Sequence, residues 1–95
     1  MLEIKQQGAT VEFSGELNCN TVVKHWPFKL LDTLPKQAEF NLGKLRHVDT
    51  AGLAWLLQQL AQANKKGIVL RFTQMPTQLR NLAAVSDVLP LLPTD

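Results

Sequence analysis

The side chains best suited to act on another molecule gather in one stretch, His47-Val48-Asp49-Thr50-Ala51-Gly52-Leu53. His47 and Asp49 stand two apart, a spacing from which a metal pair or an acid–base pair can be drawn. The preferred reading is structural: His47 sits in a loop and Asp49 caps a helix. Its carboxylate then accepts from first-turn N–H groups and meets the positive end of the dipole. Neither His25 nor His47 has a second titratable group at a useful helical spacing. Thr50 stands at the lip of that helix. A threonine there serves the helix start, and its hydroxyl is equally suited to phosphorylation or to contact with a partner; spacing leaves these readings even. Cys19, with only Lys24 as a basic neighbour, reads as a small half-buried hydrophobe. A single cysteine forms no internal disulfide and supplies no thiolate set for zinc. The five glycines are dispersed, so no glycine-rich phosphate loop is present. The inventory points away from an enzyme, a metal site, a cofactor or a small-molecule substrate.

These residues need elements to hold them. Leu2-Glu3-Ile4-Lys5 and Val11-Glu12-Phe13-Ser14 alternate apolar and polar about a turn at Gln7-Gly8, which predicts a β-hairpin. Ala38, Phe40 and Leu42 mark a third strand; Ile68, Leu70 and Phe72 mark a fourth. Each strand has one apolar and one mostly polar face, so Glu12, Glu39 and Arg71 are expected to be solvated. Asn18 or Asn20 caps a first helix whose face carries Val22, Val23, Trp26, Leu30 and Leu34, with Pro27 either in its first turn or bending it. Phe28 points away from that face. A helix over 50–66 joins strands three and four as a β-α-β unit with a right-handed crossover, and those strands should be parallel. A last helix opens near Pro76 with Leu79, Leu82, Ala83 and Val85 as its core stripe. Ser86-Asp87 would cap a final short turn in an apolar tail. The fold class is α/β: one mixed four-stranded sheet with helices mainly on one face.

On helix 50–66, Leu53, Leu56, Leu57 and Leu60 form the expected core stripe. Opposite lie Ala51, Trp55, Gln58, Gln59 and Gln62, with no charge before Lys65 and Lys66. Such a face is expected to dock a protein, with Trp55 as anchor beside Thr50. It would bury ~600–900 Å² on this side.

The 95 residues are read as one domain, and 45% hydrophobic with 19% charged is a globular composition. A net charge of +2, scattered along the chain, does not suit nucleic acid. No apolar run nears the ~20 residues of a bilayer span, so no membrane insertion is expected. The chain opens directly on a strand rather than a leader, which predicts a cytoplasmic address.

Ser14-Gly15-Glu16-Leu17 after the second strand, and Val48-Asp49-Thr50-Ala51-Gly52-Leu53 between strand and helix, resemble the STAS domain shared by anti-sigma factor antagonists and sulfate transporters. The resemblance covers essentially the whole chain and implies the anti-sigma factor antagonist-like fold. It carries over Asp49, Thr50 and Gly52, with Leu53 as core and Ala51 small enough for a partner's close approach. In the sigma-regulating members the residue matching Thr50 is phosphorylated, which breaks the complex; that branch usually has Ser. The short length, the Thr and the Asp87-Val88-Leu89-Pro90 ending look more like the cytoplasmic STAS subunit of the Mla phospholipid-transport ABC complex. This likeness implies a non-catalytic protein that binds the ATPase subunit and supports a transporter maintaining outer-membrane lipid asymmetry. It would sit at the inner membrane only through that partner.

Overall fold

The computed structural model describes residues 2–23 and 33–92. Strands β1 (Leu2–Gln7) and β2 (Thr10–Leu17) form the expected antiparallel hairpin, with Gln7 paired to Thr10. The two-residue turn requires a positive φ at its first position, and Gly8 supplies it at 61°. After β2 the chain enters a short helix α1 (Cys19–Val22), then returns as β3 (Gln37–Val48), parallel to β2. Helix α2 (Thr50–Lys65) leads to β4 (Val69–Thr73), parallel to β3, and α3 (Thr77–Val85) follows. The sheet order β1-β2-β3-β4 is the mixed four-stranded arrangement expected of an α/β fold. The reading of residues 24–32, including Trp26, Pro27, Phe28 and Leu30, lies outside the described residues. Among the described residues no helix is long and apolar enough to cross a membrane.

Side-chain alternation explains the core. Val11, Phe13 and Leu17 from β2, Ala38, Phe40 and Leu42 from β3, and Leu70 and Phe72 from β4 are buried together. Phe40 links the aromatic row, with ring centroids 4.8 Å from Phe13 and 5.9 Å from Phe72. β3 runs six residues beyond the expected Leu42, and its later buried positions are Leu45 and Val48, each three on from the last. Its register with β2 explains the change of period. Between Glu12 and Ser14, and again between Gly15 and Glu16, β3 advances one residue more than β2. Each bulge resets which side chain turns inward. On the other face Glu12 pairs with Lys44 at 3.2 Å, and Glu39 accepts a 2.7 Å bond from the hydroxyl of Thr73, which is buried rather than wet.

Helix α2 departs from the expected roll. Its buried residues are Gly52, Leu53, Trp55, Leu56, Gln59 and Ala63, while Leu57 and Leu60 are only half-buried. Trp55 is 5% exposed and Gln59 is 1% exposed, so both belong to the core and neither is on a docking face. The cause lies in the small residues. Gly52 presses against the end of β2, and a Cβ there would overlap the Leu17 carbonyl oxygen and stand 2.9 Å from its carbon. That contact, with Ala63 three turns on, lets one edge of the helix drop onto the sheet. Trp55 is thereby driven edge-on to Phe13, at 5.9 Å and 72°. The buried arc spans about 160° of the wheel at ~100° per residue, wider than a leucine stripe.

The ends hold two smaller corrections. Val85 is 87% exposed and does not join Leu79 and Ala83 in the core. Ser86 and Asp87 close α3 rather than opening a new turn: Ser86 is its C-cap and Asp87 takes φ 63°. The tail then forms a 3₁₀ turn over Leu89–Leu91 and tucks Leu92 into the core.

Candidate functional site

The parallel register sets Leu17 beside Val48, so the two strands end side by side and their helices start together. Asn18 begins the first. Its side chain accepts from the N–H groups of Asn20 and Thr21 at 2.9 and 3.1 Å, and the Thr21 hydroxyl accepts from the Asn18 N–H at 2.9 Å. Asp49 begins the second, with Oδ1 accepting from Gly52 N–H at 2.9 Å. Its Oδ2 accepts from the Cys19 N–H at 3.3 Å. One carboxylate therefore serves the first turns of both helices. The Asp49-x-x-Gly52 spacing has a mechanical meaning: the aspartate caps the turn, and the glycine lets that turn lie against Leu17.

Thr50 occupies the first helical position beside this clamp and is exposed. Ala51, Gln58 and Gln62 are partly exposed, and Ala54 and Ala61 are open to solvent. Within α2 the outward surface thus combines small and amide side chains with the half-buried Leu57 and Leu60 along its border, and Lys65 is its first charge.

His47 and Asp49 do not form a pair. His47 is a strand residue of β3, not a loop residue, and its Nδ1 lies 3.1 Å from Gln78 Nε2. Gln78 Oε1 accepts from the Val48 N–H at 3.1 Å, which turns the amide NH₂ toward the ring. In the Nε2–H tautomer, His47 Nδ1 accepts from this NH₂. Gln78, which no sequence motif marks, thereby ties α3 to the end of β3. Cys19 is exposed rather than half-buried, and its backbone N–H is what the clamp uses. Among the described residues no three of His, Cys, Asp and Glu gather where they could hold a metal ion. The sequence leaves the first cap open between Asn18 and Asn20, and the structure settles it at Asn18, whose box with Thr21 is the spacing that could have decided it; the double role of Asp49 depends on strand register and leaves no such signal.

The family model described as "Mlab, STAS domain" matches residues 1–93. The chain is 35% identical over 79 residues to the intermembrane phospholipid transport system binding protein MlaB of Haemophilus influenzae, covering 78% of this chain and 75% of that one. Solved structures share the fold at low identity. The anti-sigma factor antagonist SpoIIAA in its unphosphorylated form has a TM-score of 0.70 at 15% identity, over 100% of this chain and 88% of that one. A sulfate transporter family protein from Wolinella succinogenes has a TM-score of 0.75 at 14% identity, over 97% and 79%. A putative anti-sigma factor antagonist from Thermotoga maritima has a TM-score of 0.75 at 14% identity, over 98% and 84%.

Proposed function

This chain belongs to the STAS domain family, in its MlaB type, and on that premise we propose that it is a non-catalytic subunit of a phospholipid-transport ABC complex of the Mla kind. It binds an MlaF-like ATPase subunit on the cytoplasmic side, reaches the inner membrane only through that partner, and supports a transporter that maintains outer-membrane lipid asymmetry. The observation that carries the reading is the 35% identity to the Haemophilus influenzae MlaB over 78% of this chain, and we place the contact at the exposed Thr50, which starts α2 beside the Asp49 clamp.

The docking face differs from the helical-wheel expectation. It comprises Thr50, Ala51, Gln58 and Gln62 with the exposed Ala54 and Ala61, while Trp55 and Gln59 support it from beneath. Small side chains let a partner's backbone approach, and amides offer hydrogen bonds without a charge to desolvate. Co-purification tests this. The tagged chain, expressed in a Gram-negative host with its own transporter genes, is expected to retain the ATPase in stoichiometric amount, and Ala54→Glu is expected to release it. Retention by Ala54→Glu would move the contact off α2.

A second reading rests on the same exposed hydroxyl: an anti-sigma factor antagonist switched by phosphate on Thr50. Intact-mass analysis of protein from growing cells separates the two, since stoichiometric phosphate on Thr50 favours the switch.

A further inference from the structure

Among the described residues no strand lies beyond the outer edge of β1: β2 pairs with its inner side, and Thr33 reaches the strand through its hydroxyl, which donates to the Gln6 side-chain oxygen at 3.3 Å. The phase of the hairpin decides which backbone groups face out. Gln7 and Thr10 close a two-residue turn and exchange both hydrogen bonds, and alternation from there points Lys5 and Glu3 toward β2 as well. The N–H and C=O groups of Leu2, Ile4 and Gln6 therefore point outward.

We infer that this edge pairs with the same edge of a second copy, antiparallel about a two-fold axis at Ile4. Only that register engages all three outward residues, with Ile4 opposite Ile4 and Leu2 opposite Gln6 of the second copy. It also sets Glu3 opposite Lys5 twice. A lysine on an exposed edge commonly guards against pairing by repulsion. Here the register that engages all three outward residues brings opposite charges together. The pairing continues a pattern already in the sheet, because Lys5 stands opposite Glu12 and Glu12 pairs with Lys44. A second copy extends this row to Glu3, Lys5, Glu12, Lys44. On the other face it covers Leu2 and Ile4, which are only partly buried against the core. One short strand pair buries little area, so the dimer is weak and salt-sensitive.

Sedimentation velocity on the untagged 95-residue chain, from micromolar to millimolar concentration at low salt, reads the association directly. Wild type is expected to shift from monomer to dimer. Lys5→Glu alone and Glu3→Lys alone each place like charges opposite one another, and each is expected to weaken dimerisation about tenfold. Mixing the two variants restores both opposite-charge pairs, so the mixture is expected to form the heterodimer. Ile4→Pro removes an outward N–H without touching the β2 ladder and should be monomeric, its circular dichroism unchanged. A wild type that stays monomeric throughout, a dimer indifferent to Lys5→Glu, or a mixture that fails to recover would each overturn the pairing.

Discussion

Gly52 sits between two opposed demands. In a helix, alanine is favoured over glycine by ~1 kcal/mol. At this position the added methyl meets the Leu17 carbonyl, a backbone group that cannot swing aside, and overpacking of this kind costs ~1–3 kcal/mol. The steric term wins: Gly52→Ala should lower the urea midpoint. Asp49→Ala should cost ~1–2 kcal/mol for the α2 cap, with a further loss where Cys19 N–H forfeits its acceptor. Gln59 presents the reverse case. Its carboxamide is buried, and neither of its polar atoms has a hydrogen-bond partner among the described residues. Leaving such atoms dry costs ~1–3 kcal/mol, so the near-isosteric Gln59→Met is expected to raise the midpoint. Its stabilisation would mark Gln59 as held against stability; a loss would mean that the amide is satisfied in solution.

Helix α2 is the element on which function and stability divide. Its underside is core and its outer side is the proposed contact, and the boundary runs between Trp55 and Gln58. Trp55→Ala should cost ~3–5 kcal/mol by emptying the site against Phe13, and should weaken partner binding only by unfolding the chain. Thr50→Glu belongs to the other side. A carboxylate in the first turn meets the positive end of the helix, so thermal stability should stay within ~1 kcal/mol of wild type. The charge is nonetheless placed where the partner would have to desolvate it.

Across the whole molecule, alternation in the sequence was enough to draw the hairpin, the parallel β-α-β unit and the four-stranded sheet, because one-faced strands repeat every two residues. The roll of α2 was not legible. Four leucines are loud on a wheel, whereas Gly52, Gln59 and Ala63 carry almost no hydrophobic signal, yet it is the small residues that let one edge approach the sheet. The reach of β3 was hidden for a related reason: two bulges change its burial period from two to three, which alternation reads as a loop. For the site, the Asp49-Thr50-Gly52 motif was visible, and its exposed threonine was placed correctly at the helix start. The face beyond it was visible only in part, since Trp55 and Gln59 changed sides. Calorimetric titration of the MlaF-like ATPase with wild type and Thr50→Glu tests the proposed α2 contact most directly. Thr50→Glu is expected to keep its melting temperature and to bind at least ~10-fold more weakly, as an unpaired buried charge requires. Equal affinity for the two would contradict it.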